Sequence, residues 1–211
     1  MKTYKWIIAN DKDIQLFREC LVKTPYLDFM NPKDFDKLWS KDYIPILIHK
    51  TAKIDIKIQP KIYQLVFNEE LANGLTKFCI NANKFAPLFG SPNSSYFEKQ
   101  KGEASATISS LVQKWSYHPN LSILDVAAEL MYDLATKHKF ADGNKRTALI
   151  TTLFFLKACG LYLLKQNPND WDEFTAGIVV DHSSGVDGET LKERIRNALK
   201  NGITISFKWG E

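Results

Sequence analysis

From Thr147 to Cys159 the chain carries Leu149, Ile150, Leu153, Phe154, Phe155 and Leu156, so a helix here is apolar on nearly every side. Such a helix has to be surrounded by other elements. This predicts a central spine with the remaining helices packed around it and Gly160 as its left-handed stop. Ser122 to Thr136 predicts the helix before it, with Ile123, Val126, Ala127, Leu130, Met131 and Leu134 on its buried face and an approximate capping box in Ser122 and Asp125. The two apolar helices leave room for only a short polar connection, His138-Lys139-Phe140-Ala141-Asp142-Gly143-Asn144-Lys145-Arg146. Lys145 and Arg146 fall at the first turn of the spine, where the macrodipole is positive and cations cost stability. A compensating anion is expected. Gly143 and the helix-start N–H groups form a ready anion site, and a phosphate would satisfy it.

Upstream, Tyr4 to Ala9 predicts a strand and Asp11 to Val22 a helix through Ile14, Phe17, Leu21 and Val22. Pro32 to Trp39 predicts a short helix, and Ile44 to His49 and Ala52 to Ile58 predict strands. Pro60 is expected to mark a boundary, after which Ile62 to Asn81 has a helical pattern interrupted by Gly74. Pro87 to Lys101 is rich in turn formers and predicts an exposed loop or hairpin. Glu103 to Trp115 predicts a helix, as do Asp170 to Val180 and Gly188 to Lys200. Leu161 to Leu164 predicts a short extended piece and Ile203 to Trp209 a last strand. The expected organisation is an elaboration over residues 1–60, a catalytic domain over 61–201, and a C-terminal strand or tail over 202–211. The elaboration would be a small mixed β/α unit pairing with the C-terminal strand.

The composition, 45% hydrophobic and 25% charged over 211 residues, is that of an ordinary globular chain and argues against disorder. A net charge of +4, with the lysines scattered, says little about nucleic acid. Cys20, Cys79 and Cys159 are far apart, with no spacing suited to zinc, which points to a reducing compartment. The apolar core of the N-terminus is too short for a signal peptide, and no run approaches a membrane span, so a cytoplasmic location is expected.

Taken on chemistry alone, His138 offers a base that titrates near neutrality, and Asp142 a carboxylate able to hold magnesium beside substrate phosphates. Gly143, Asn144, Lys145 and Arg146 offer a grip on phosphate oxygens. Together they describe phosphoryl or nucleotidyl transfer. Plainer readings exist for each. Lys137-His138-Lys139 suits any helix C-terminus, Asp142-Gly143-Asn144 is good turn chemistry, and Phe140 is a core anchor in either case. A DNA-reading helix-turn-helix is a further alternative, but the second helix is too apolar to leave a face for the major groove.

The run His138-Lys139-Phe140-Ala141-Asp142-Gly143-Asn144-Lys145-Arg146-Thr147-Ala148-Leu149 resembles the signature of the Fic/Doc (Fido) family, closest to its Doc (death-on-curing) branch. The similarity extends more weakly from about Glu69 to Leu199. The resemblance implies a mainly α Fic-like bundle in which His138 deprotonates a target hydroxyl and Asp142 binds Mg2+. Gly143, Asn144, Lys145 and Arg146 would hold the phosphates of ATP, and Phe140 would anchor the loop. It also implies a flap that adds a strand edge to the target, for which Leu88 to Lys101 is the candidate.

AMP-transferring relatives have Pro after the His, Gly where Lys145 stands and a second Arg where Leu149 stands. All three are missing here. Doc-like proteins share these departures and move the terminal phosphate of ATP to a Thr of elongation factor Tu. The expectation is therefore a Doc-like toxin with protein kinase activity that blocks translation. AMP transfer is the alternative and a non-catalytic binding module the second alternative. No Glu in the chain precedes Gly or Asn, so the family's internal inhibitory motif is missing and a separate antitoxin is expected as partner. Neither a membrane nor direct nucleic acid binding is expected.

Overall fold

A computed structural model describes residues 2–24, 27–34, 37, 39–86, 97–163 and 168–205. The fold is mainly helical, as a Fic/Doc-like bundle requires. The chain opens with strand β1 (Lys2–Ile8), helix α1 (Lys12–Val22), strand β2 (Leu27–Phe29), a 3-10 turn over Pro32–Asp34, and strands β3 (Leu47–Lys50) and β4 (Asp55–Gln64). Helices α2 (Glu69–Phe85), α3 (Glu103–Ser116), α4 (Ile123–Thr136) and α5 (Asn144–Cys159) follow. The chain then runs through strand β5 (Tyr162–Leu163), helices α6 (Pro168–Ser183) and α7 (Gly188–Gly202), and strand β6 (Ile203–Thr204).

Helix α5 is the spine. It packs against α4, α2, α6 and β1, with Ala148, Leu149, Phe155 and Leu156 buried. Thr151 and Thr152 are also buried, and their hydroxyls are satisfied within the helix: Thr151 donates to Thr147 O at 2.6 Å and Thr152 to Ala148 O at 2.9 Å. Gly160 ends the helix at φ 94°, where a Cβ would sit 3.0 Å from Lys5 O and the Trp6 ring, so glycine lets β1 close onto the spine.

The strands form one sheet in the order β1-β4-β3-β2, parallel between β1 and β4 and otherwise antiparallel. Trp6 stacks on Phe17 at 4.6 Å, which joins the sheet to α1. A single cluster of buried side chains then continues from these rings into α2, α4 and α7.

Several expectations need correction. Pro60 does not end the strand: β4 passes through it with Tyr4 opposite, and the helix expected from Ile62 begins only at Glu69, capped by Asn68, whose Oδ1 accepts from Leu71 N at 3.0 Å. Proline is tolerated because β3 begins opposite Ile58, leaving β4 partnered on one side only at Pro60. Strand β3 starts later than Ile44, the second strand runs from Asp55 rather than Ala52, and of the helix expected over Pro32 to Trp39 the described residues show the 3-10 turn at Pro32–Asp34, with residues 35, 36 and 38 outside the described residues. Trp39 caps that turn by donating from Nε1 to Asp34 O at 3.1 Å. Gly74 does not interrupt α2. The last strand pairs with β5 rather than with the N-terminal sheet, because α7 delivers it beside the chain leaving α5. It still touches the N-terminal unit through the Thr24 and Thr204 hydroxyls, 2.7 Å apart. Residues 206–209 of the expected strand, and 88–96 of the expected flap, lie outside the described residues.

Among the described residues no helix is long and apolar enough to cross a membrane. The three cysteines are buried, and burial pushes the Cys20 and Cys79 thiols up to about 12 and the Cys159 thiol higher still, which leaves them inert as nucleophiles.

Candidate active site

The connection between α4 and α5 opens onto a cavity of about 650 Å³ lined by His138, Ala141, Asp142, Gly143, Asn144, Lys145 and Arg146, with Asp172, Glu173, Ala176 and Val179 of α6 opposite. His138 stands just beyond the end of α4 with φ 47°, the only positive value outside glycine among the described residues. The left-handed residue stops the helix and turns the exposed imidazole to the cavity, at the backbone cost such a conformation carries.

Phe140 is buried and fixes the loop to the core. Its backbone is clamped by Asn144, whose Oδ1 accepts from Phe140 N at 2.8 Å and whose Nδ2 donates to Phe140 O at 2.8 Å. The amide expected to hold phosphate shapes the loop here, one carboxamide matching both polar atoms of a single residue's main chain. Gly143 is buried at φ 74° and accepts from Thr147 N at 2.8 Å, starting α5. The start of α5 has no side-chain cap and no acid in its first turn. Lys145 is exposed there, and Arg146 reaches α6, its Nε 3.4 Å from Asp172 Oδ2.

The described end of the flap segment also meets the loop. Lys99 N donates to Lys139 O and Ala141 N to Phe97 O, both at 2.9 Å, an antiparallel bridge centred on Glu98 and Phe140. Glu98 then caps α3, accepting from Ala104 N at 2.9 Å and Gly102 N at 3.2 Å. The loop is held from both sides.

Comparison with known families bears on the central segment. Residues 70–156 match the Fic/DOC family. No curated protein matches the chain. Members of the Fic/DOC family are in general enzymes that modify proteins by transferring part of a nucleotide, using ATP and Mg2+. The match runs from the first turn of α2 into α5 and does not separate the Doc branch from the others. Residues preceding Glu70, and all of α6 and α7, lie outside it.

The loop suits the ATP and Mg2+ that the Fic/DOC family uses in general. Two cations and a row of helix-start N–H groups face the cavity; Asp172 reaches Arg146 from the opposite wall, Lys145 has no ion pair among the described residues, and Asp142 stands at the edge. Among the described residues no cluster of three or more His, Cys, Asp or Glu could hold a metal alone. A single carboxylate is nevertheless what magnesium takes when substrate phosphates supply other ligands. Leu149, which replaces the second Arg of AMP-transferring relatives, is buried in the core. Sequence reasoning missed Asn83 of α2. It is buried and donates to Asp142 O at 3.3 Å and to Thr147 Oγ1 at 2.9 Å, tying the loop to α5. It also missed Asp172 and Glu173. They stand side by side on α6, outside the motif, and no local pattern marks them.

Proposed function

We propose that this chain transfers the terminal phosphate of ATP to a hydroxyl of a protein, as a Doc-like toxin. The observation that carries this reading is the uncapped start of α5, where Lys145 and Arg146 share one cavity with His138 and Asp142. In this reading His138 takes the proton of the target hydroxyl as its oxygen attacks the γ-phosphorus. The bond to the β–γ bridging oxygen breaks, and ADP leaves. Lys145, Arg146 and the N–H groups after Gly143 neutralise the phosphates, and Asn144 and Phe140 keep the loop in shape for them. Magnesium at Asp142 would supply further neutralisation of the phosphate charge.

Lys145 in place of Gly and Leu149 in place of Arg support phosphate transfer over AMP transfer. A side chain fills space over the nest, and a clamp on the outer phosphates is missing. Residues 61–201 would form the catalytic body and residues 1–60 an elaboration against it. Elongation factor Tu is the first target to test, and a separate antitoxin is the proposed regulator.

The test is labelling of a protein target with magnesium and either γ-labelled or α-labelled ATP. Label from the γ position alone is expected. Label from the α position would replace the kinase by an AMP transferase. His138→Ala is expected to cut transfer by at least about 100-fold, and a variant that kept full growth inhibition in cells would leave only a binding module.

A further inference from the structure

Arg146 meets its partner across the cavity, on α6 and outside the segment matched to the family. A guanidinium carries one N–H on Nε and four on its two terminal nitrogens, in a planar fork. Asp172 Oδ2 sits on the Nε edge at 3.4 Å, which leaves the terminal pair for a second anion. Arginine grips phosphate best through two parallel N–H donors, so fixing the third edge fixes the direction of the grip. The side chains are 32% and 41% exposed, so water screens the pair, and it acts through orientation more than through strength.

We propose that Asp172 is a positioning residue that holds Arg146 by its Nε edge and aims the terminal nitrogens at the phosphates of the donor nucleotide. The inference rests on the reading of this cavity as the donor site. It makes α6 part of the phosphate grip, although α6 contributes nothing to the motif. It also separates the two cations: Arg146 is braced, whereas Lys145 is exposed with no ion pair among the described residues.

The test uses the full chain with Asp172→Asn, Asp172→Glu, Arg146→Ala and the Arg146→Ala/Asp172→Asn double variant. In the free protein, the Nε–H proton of Arg146 followed by nitrogen-15 NMR is expected to exchange with water about threefold faster or more in Asp172→Asn, with partial recovery in Asp172→Glu. The KM for magnesium-ATP should rise about three- to fivefold in Asp172→Asn, the scale of a half-exposed ion pair, with kcat within about twofold of the parent. In the Arg146→Ala background the second substitution should add nothing. Unchanged or tighter ATP binding in Asp172→Asn, or additive effects in the double variant, would overturn the role. A parent protein whose Arg146 signal responds to Asp172→Asn but which binds no magnesium-ATP would overturn the donor site itself, and the positioning role with it.

Discussion

Helices α4 and α5 start in opposite ways. The first residue of α4, Ile123, donates its N–H to Asp13 Oδ1 at 3.0 Å, and the capping box closes around it, with Asp125 N donating to Ser122 Oγ at 3.2 Å and Ser122 N donating to Asp125 Oδ2 at 2.8 Å. Two carboxylates therefore serve the positive end of α4. Helix α5 starts with a glycine, no acid and two cations. Both ends carry the same partial charge and the same orphan N–H groups. One is completed by the protein and the other has no side-chain cap. In the proposed function the binding site is the cap that the chain leaves open.

The comparison breaks most severely at Asp13. Its buried carboxylate also accepts from Ala9 N at 2.8 Å and Asn10 N at 3.1 Å, so it joins the end of β1 to the start of α4. Asp13→Ala strands these N–H groups and is expected to cost about 3 kcal/mol, or roughly 6–12 °C in thermal midpoint. A loss under 1 °C would show that water completes this cap as well as the carboxylate does. Burial raises the Asp13 pKa, with help from the charge of Asp125, and this outweighs the backbone N–H groups that lower it. The folded chain then holds the Asp13 proton more tightly than the unfolded chain. Its contribution is fullest below the ordinary carboxylate range and is lost as pH rises through the raised value. In denaturant titrations the parent should lose stability relative to Asp13→Asn as pH rises through that window, and the two should run parallel below and above it.

A middle-sized effect is expected at Asn144, where the open cap is kept in shape. If the carboxamide chiefly gripped phosphate, Asn144→Ala would raise the KM for ATP and leave stability alone. Its two 2.8 Å bonds to Phe140 argue for the reverse. A loss of about 1–2 kcal/mol is expected, together with faster hydrogen exchange at the Phe140 amide. Unchanged exchange would return Asn144 to the role of a direct ligand.

These two sites also show what could be read without coordinates. The capping box of α4, the glycine stop of α5 and the cations of its first turn were legible because each is local, within a few residues along the chain. The loop from His138 to Arg146 was legible for the same reason. Asn83 and Asp13 were not, because each acts on a backbone far along the chain, on Asp142 and on Ile123, and neither shows a periodicity that points there. Asn144 was identified as a site residue, but whether its amide faced ligand or loop depended on a rotamer. At β4 a signal was present and overridden. Ile54, Ile56 and Ile58 alternate, and Ile62 continues the same parity past Pro60, so the period of two outlasted the proline that was expected to end it.

The smallest effect separates the two helix starts most sharply. Lys145→Glu places in α5 the kind of acid that α4 already has, at an exposed position in the first turn. Exchanging a cation for an anion there should stabilise the free protein by about 0.5 kcal/mol, an effect that shrinks with added salt. The same change sets a negative charge where the phosphates are proposed to bind, so transfer from ATP should be lost. Lys145→Met, which removes the charge without reversing it, should give a smaller gain in stability and a partial loss of transfer. Thermal melts of the three proteins with and without magnesium-ATP measure both sides. The parent should gain stability on adding nucleotide, and Lys145→Glu should start higher and gain nothing. A Lys145→Glu protein that melted lower than the parent without nucleotide would show that the start of α5 has no unmet demand for an anion, and the contrast with α4 would lose its meaning.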